Sequence, residues 1–344
     1  MRVDAVWRSP SGAAWLVRAA LAPAAGLYGL GVRVRNHCYD VGLLAARPTA
    51  LPTISVGNLS VGGTGKTPIA AWIAARCVER GERPAIILRG YRGGDEVLVH
   101  RLLTPAAMVI ADPDRRAAIA RAAALGCTVA ILDDGFQHRQ AARVADLVLV
   151  SADAWTGGRW RLLPAGPWRE PIEALRRARV IIITRKAADD ATVAAVAAGI
   201  ARVTASLDGP VAIAIATIAL DALRTIDGRS RSLDELRGTR VVAVGAIGDP
   251  DAFRAQLAAA GLDARLVVYR DHHAFTAADV AMLVRVADGG PVVCTLKDAV
   301  KLAPRWPRQL GPLWYLSQRV HLDRGAEAVD AALDLAGRPR RPPP

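Results

Sequence analysis

The sequence predicts an α/β protein with a P-loop NTPase-like, mainly parallel sheet, and three observations carry that expectation. Short β-rich runs alternate with alanine-rich helical stretches from residue 52 onward. A glycine-rich loop, SVGGTGKT at Ser60 to Thr67, lies between one such run and one such stretch. An apolar run, VAILDD, ends in two acids, Asp133 and Asp134. At 344 residues and 52% hydrophobic composition the chain can fill two cores. The pattern divides it into an N-terminal helical segment over 1–50, a P-loop domain over 51–218, a smaller C-terminal α/β domain over 219–335 and a tail over 336–344.

In order, PTISVGNLS reads as a strand entering the loop and TPIAAWIAARCVERG as the helix leaving it, closed by Gly81. PAIILRG is a second strand, YRGGDE a glycine-rich turn, and VLVHRLL a further short strand. PDRRAAIARAAALG is a helix ended by Gly126, and CTVAILDDG a strand buried on both faces. VADLVLVS, RARVIIITR and PVAIAIATI supply more strands. From about residue 220, LRGTRVVAVGAIGDPDAFRAQLAAAGLDARLVVYRD repeats the strand, helix, strand pattern; TAADVAMLVRVAD adds a helix, and PVVCTLKDAV and LWYLSQRVHL two last strands. The proline-rich RPRRPPP is expected to be disordered.

Residues 13–32 predict an apolar, amphipathic helix with Trp15, Leu16, Leu21, Leu27, Tyr28 and Leu30 on its apolar side and Arg18, Arg33 and Arg35 flanking. Its fourteen uncharged residues between Arg18 and Arg33 fall short of the roughly 20 that a spanning helix needs. A helix lying in a membrane interface and one packed on the protein's own core both satisfy this pattern. No cleavable signal is recognisable, so export is not expected.

The net charge of +13 suits nucleic acid, an anionic membrane or a phosphorylated substrate. Only four of the 45 basic residues, Lys66, Lys186, Lys297 and Lys301, are lysine. A coding bias toward arginine weakens the nucleic-acid reading, no reader motif supports it, and each surviving lysine gains interest. Cys38, Cys77, Cys127 and Cys294 form no C-x-x-C pair, which argues against zinc knuckles and a disulfide framework and fits a reducing compartment.

A phosphate-binding loop works because glycines let successive backbone N–H groups face the phosphate oxygens at a helix N-terminus. Gly62, Gly63, Thr64 and Gly65 supply that loop, Lys66 reaches the terminal phosphates, and the Thr67 hydroxyl would ligate a magnesium ion. Against the usual motif the one departure is Ser60 at the opening glycine. Asp133 is the first candidate for a metal-side acid; adjacent acids on extended backbone diverge, so Asp133 and Asp134 divide the labour between the metal and a second contact, and the sequence leaves both as metal candidates.

SVGNLSVGGTGKTP, RGY at 89–91, GDE at 94–96, DDGFQH, LLPAGPWREP at 162–171 and DHHAFT at 271–276 occur in one order. Together they resemble the tetraacyldisaccharide 4'-kinase family over roughly residues 10 to 305, and Ser60 is itself part of that family's pattern. The resemblance implies ATP and Mg2+ as cofactors and transfer of the γ-phosphate to the 4'-hydroxyl of a lipid-borne disaccharide 1-phosphate in lipid A biosynthesis. It implies a peripheral or monotopic place at the cytoplasmic face of the bacterial inner membrane, with the N-terminal helix in the interface, and nothing about oligomeric state. It also makes the P-loop domain a kinase domain.

By the same resemblance Asp95 is the base, paired with His272; Glu96 touches the metal region; and Arg115, Gln137, His138, Arg169 and Glu170 bind or orient substrate. On residue type alone Arg115, Arg169 and Glu170 would pass for surface charges, and DHH for a helix-entry loop. Only Arg92 and Gly93 separate RGY from GDE, where many relatives carry a longer segment, and Leu296 stands where relatives usually show a glutamate. The competing reading is a membrane-associated P-loop ATPase or switch with no sugar acceptor.

Overall fold

The structure, a computed structural model, describes residues 6–7, 9, 11–90, 94–155, 160–205, 211–271 and 273–337. Tyr91, His272 and the RPRRPPP tail lie outside the described residues.

After a long first helix, α1 (Gly12–Asp40), the chain alternates strands and helices around one sheet. The strands are β1 (Thr53–Asn58), β2 (Pro84–Leu88), β3 (Met108–Ala111), β4 (Val129–Asp133), β5 (Ala145–Ser151), β6 (Val180–Arg185) and β7 (Ala212–Arg224). They continue with β8 (Ser230–Ser232), β9 (Arg240–Gly245), β10 (Asp263–Val268), β11 (Val292–Thr295) and β12 (Trp314–Arg324). The helices are α2 (Lys66–Glu79), α3 (Asp95–Leu103), α4 (Arg115–Ala124), α5 (Asp190–Ala205), α6 (Pro250–Ala259), α7 (Ala277–Ala287), α8 (Leu296–Leu302) and α9 (Ala326–Gly337).

The sheet order is β10-β9-β11-β12-β7-β6-β5-β1-β4-β2-β3, with β8 pairing β7. Every pairing is parallel except β12 with β7 and β8 with β7. Crossover helices cover both faces of a parallel sheet, which is why β4 is apolar up to its final acid and why both β1 and β4 are buried along their whole length, β1 with Thr53, Ser55 and Asn58 included. Because β4 lies directly beside β1, with Val56 opposite Asp133, the strand ending in two acids finishes beside the loop that follows β1.

Two runs expected as strand are helix. VLVHRLL belongs to α3, which starts after Gly94 in the left-handed region (φ 71°) and has Asp95 and Glu96 in its first turn and His100 and Arg101 in its last. That charge order complements the helix dipole. In PVVCTLKDAV the strand stops at Thr295, whose hydroxyl accepts from the Asp298 N–H and caps α8. Helices α5 and α9 were not foreseen.

The expected division after residue 218 falls inside β7. α9, assigned by that division to the C-terminal part, packs Val329, Ala332, Leu333 and Ala336 on the core formed by β1, β6, β7 and α2. It also pairs Asp330 with Arg76 and Arg80 of α2. A separate core of Val244, Phe275, Leu283, Cys294 and Leu302 lies under β9, β11 and α7.

α1 is longer than expected: 29 residues, about 44 Å at 1.5 Å per residue. By length and composition it is apolar enough to cross a membrane. One side is docked on the body. Tyr28 donates to the Arg169 carbonyl (2.8 Å), Arg35 to the Gln137 carbonyl (2.6 Å), and Asn36 to the Glu170 carboxylate (3.0 Å). Trp15, Leu16, Leu27, Leu30 and Val34 are exposed, Leu27 at 74%.

Candidate active site

β1 delivers the chain into a loop that demands glycine at particular points. Gly62 and Gly65 have φ of 118° and 85°, a region that side chains resist. A Cβ on Gly65 would stand 2.4 Å from Ile218 Cδ1. The loop is braced from outside: Asn58 Nδ2 donates to Thr64 Oγ1 (2.7 Å), Thr184 Oγ1 to the Thr64 carbonyl (2.9 Å), and Lys186 Nζ to the Gly63 carbonyl (2.8 Å). Gly65 is the N-cap of α2 and contributes no capping side chain, so the first amides of the helix are left to a ligand, the arrangement that binds phosphate.

Lys66 and Thr67 open α2 toward the end of β4. Thr67 Oγ1 lies 3.4 Å from Asp133 Oδ2, and Lys66 Nζ 3.8 Å from Asp134 Oδ1. Burial lowers the Lys66 pKa against the opposing pull of Asp134. The two acids diverge, as adjacency requires, because Asp134 turns into the left-handed region (φ 55°). Asp134 accepts both arms of Arg169, at 2.7 and 3.0 Å. Burial works to raise its carboxyl, but the Arg169 hydrogen bonds and the Lys66 charge outweigh it and hold the group below the usual carboxylate range.

Asp133 faces inward. Its Oδ2 meets His100 Nε2 at 2.9 Å, and its Oδ1 is buried with no hydrogen-bond partner. His100 is 0% exposed. Sequence reasoning missed this histidine because it read VLVHRLL as a strand; as a helix, Glu96 and His100 stand four apart on one face.

These groups line a cleft of about 1360 Å3 whose walls include Gly62 to Pro68, Glu96, Arg115, Asp133, Asp134, Gln137, His138, Arg169, Lys186, Asp271 and Lys297. Arg115 is 5% exposed and donates to the Asp112 carbonyl. Gln137 Nε2 donates to the Asn58 carbonyl, while its Oε1 is buried without a partner. Burial, followed by the charges of Arg115, Arg143 and Arg35, pushes the His138 pKa down to about 4, so this imidazole is neutral at physiological pH.

One expectation changes. Glu170 is 1% exposed and its carboxylate is held by Arg177 (2.5 Å) and Asn36 (3.0 Å); it joins α1 to the body and is not among the residues that line the cleft. Asp95 is outside the cleft lining, at its rim, where Lys301 Nζ lies 3.7 Å away. His272 lies outside the described residues, but its neighbours diverge. Asp271 faces the cleft and pairs with Lys297 at 2.9 Å. His273 bonds Asp279 at 3.0 Å and stacks on Tyr269. All four lysines of the chain therefore gather here: three line the cleft and the fourth meets Asp95.

Among the described residues no cluster of three or more His, Cys, Asp or Glu side chains could hold a metal ion. The donors fit a hard divalent cation that arrives with phosphates: one hydroxyl, one carboxylate with a buried unpartnered oxygen, and oxygens of the ligand for the rest.

A parallel sheet with a glycine-rich loop leading into a helix, and an acid-tipped strand beside it, defines a P-loop nucleotide-binding protein. Residues 17–336 match the family described as tetraacyldisaccharide-1-P 4'-kinase, and the chain belongs to that family. It is 37% identical to the tetraacyldisaccharide 4'-kinase of Anaeromyxobacter sp. (strain Fw109-5), over 97% of this chain and 96% of that one. It is 36% identical to that of Halorhodospira halophila, over 93% of each. The crystal structure of LpxK from Aquifex aeolicus, an "apo" form in complex with ATP, superposes with a TM-score of 0.71 at 26% identity, covering 93% of this chain and 99% of that one. The protein is accordingly an ATP-dependent kinase of lipid A biosynthesis, acting on the 4'-hydroxyl of a tetraacyldisaccharide 1-phosphate, and the switch without a sugar acceptor is not favoured.

Proposed function

We propose that the phosphoryl group passes along the floor of this cleft, with ATP on the Gly62–Thr67 loop and the sugar 4'-hydroxyl brought in from the Asp95 rim. The observation that carries the reading is the Thr67 hydroxyl against Asp133, whose other carboxylate oxygen is buried and unpartnered. Thr67 and Asp133 would hold Mg2+, which when bound neutralises charge on the phosphate oxygens. Lys66 adds a second positive charge at the transferring group. Arg169 is fixed by Asp134 and so offers a preset guanidinium beside the loop. Of the cleft-lining residues, Glu96 is assigned to the metal region, and Arg115, Gln137 and His138 to the acceptor.

Asp95 takes the proton from the 4'-hydroxyl, and His272 orients that carboxylate and shares the proton. Lys301 Nζ lies 3.7 Å from the Asp95 carboxylate and helps to hold it in place. The acceptor carries acyl chains, and the exposed apolar side of α1 is placed in the interface at the cytoplasmic face of the membrane, beside the Arg169 and Gln137 segments on which α1 docks.

The test is transfer of label from γ-labelled ATP to tetraacyldisaccharide 1-phosphate in mixed micelles, with vesicle flotation on the same preparations. Asp95→Ala and His272→Ala should each lower turnover by about 10²–10⁴ without changing ATP affinity. A Leu27→Asp, Leu30→Asp double variant should leave the vesicle fraction. Near-normal turnover in both site variants overturns the assignment of the base, and undiminished flotation overturns the interfacial helix.

A further inference from the structure

His100 is 0% exposed and is not among the residues that line the cleft. We propose that it is a positioning residue for the metal-side carboxylate. Its Nε2 donates to Asp133 Oδ2 and fixes the rotation of that carboxylate, so that Oδ1 is presented where the cation and its nucleotide arrive.

Four observations converge on this assignment. The contact is 2.9 Å and fully buried on the histidine side, with 0% and 10% side-chain exposure for the two partners. A carboxylate oxygen accepts, so this hydrogen bond is donated by Nε2. Nδ1 is buried with no partner among the described residues, so Asp133 alone fixes the ring. Thr67 Oγ1 approaches the same Oδ2 at 3.4 Å. Its hydroxyl proton is therefore directed at Asp133 and its lone pairs are left for the cation. Oδ1, the oxygen that neither group touches, is buried and unpartnered; a desolvated carboxylate oxygen kept in that state is costly without a ligand.

The element that carries His100 explains the geometry. α3 begins at Asp95, so one short helix bears the rim carboxylate at its first position, the cleft-lining Glu96 at its second, and His100 one turn further in. His100 thereby ties the depth of the cleft at β4 to its rim through a single rigid piece. Lys301 from α8 anchors the other end of that piece at Asp95.

The proposal rests on the kinase reading of the site, and the measurements separate the two. Mn2+ stands in for Mg2+, and free Mn2+ is followed by its EPR signal while the ion is titrated into full-length protein saturated with a non-hydrolysable ATP analogue. Affinity for the analogue in EDTA is measured alongside. His100→Gln retains a donor able to reach Asp133, whereas the shorter His100→Asn withdraws it; both keep a buried polar side chain, and thermal unfolding confirms the fold.

His100→Asn should weaken Mn2+ binding by about 10- to 100-fold, the usual cost of losing a group that orients a metal ligand. His100→Gln should recover most of that loss, and metal-free analogue affinity should be unchanged in both. Parental Mn2+ affinity in a folded His100→Asn overturns the proposal. So does an equal fall in metal-free and metal-dependent binding, which would make His100 a packing residue. Should His100→Asn fail to fold, an Mn2+ affinity in His100→Gln as weak as in Asp133→Asn overturns it as well. If the unsubstituted chain binds no nucleotide at all, the kinase reading has failed instead.

Discussion

Replacing Gly65 with alanine isolates what the loop requires of its backbone. Two separate penalties apply. At φ 85° an L-residue is strained by about 1–2 kcal/mol. The new Cβ would also stand 2.4 Å from Ile218 Cδ1, far inside the 3.5–4.0 Å contact of carbon atoms, and relieving such an overlap in a packed core costs about 1–3 kcal/mol. Together Gly65→Ala should destabilise by about 2–5 kcal/mol. Ile218→Val removes the offending Cδ1 and alone costs about 0.5–1.5 kcal/mol. In the double variant the overlap disappears and the backbone strain stays, so the two changes should be non-additive by at least about 1 kcal/mol in the favourable direction. Denaturant unfolding of the four proteins gives the cycle, and titration with an ATP analogue reports whether the loop still binds. Additivity within about 0.5 kcal/mol, or a Gly65→Ala protein as stable as its parent, would refute the reasoning.

Glu170→Ala removes the partner of a buried guanidinium: Arg177 has two further nitrogens without partners and lies 4.0 Å over the Phe136 ring. Loss of one member of a buried pair should cost about 3–5 kcal/mol in denaturant unfolding, while KM for the sugar, measured where the variant is folded, stays near the parent's. A large KM effect without destabilisation would restore Glu170 to the substrate. His138 predicts a pH dependence. Its folded pKa is near 4 against an unperturbed 6.5, so below 6.5 the unfolded chain takes up a proton that the folded chain refuses. Stability should fall as pH drops from 6.5 toward 4 and level off below that. His138→Gln should flatten that component, and an unchanged profile would count against it.

How much of this was legible follows from which forces are local. The P-loop, α4 and most of the parallel strands were readable because a strand buried on both faces has to be continuously apolar and a helix end near glycine marks itself. α3 was not, since VLV is a short, β-branched apolar run of the kind a strand shows, and its helical start depends on Gly94 and on contacts with α8. The start of α8 had a local signal in TLKD, Thr295 followed three residues later by an acid, which the apolar run before it masked. α9 and the continuity of β7 are long-range facts: a helix near residue 330 completing the core around residue 70 leaves no mark in either stretch.

Among the site residues, types proved more legible than orientations. Glu170 and Arg169 are neighbours in one motif, yet Arg169 turns to Asp134 in the cleft and Glu170 to Arg177 in the interior. The lysines were the most telling composition signal. In a chain whose basic residues are overwhelmingly arginine, a lysine is kept where a compact charge on a flexible stem is needed and a planar fork would not fit. Lys66 faces Asp134 just past β4, Lys186 closes over the Gly63 carbonyl, Lys297 pairs with Asp271, and Lys301 reaches Asp95. Four lysines from three separate stretches of the chain, the start of α2, the residue after β6 and α8, come to the cleft and its Asp95 side. A polyanionic nucleotide and a phosphorylated sugar would meet there a field built from point charges, each already tethered to the backbone or acid it must release or keep during transfer.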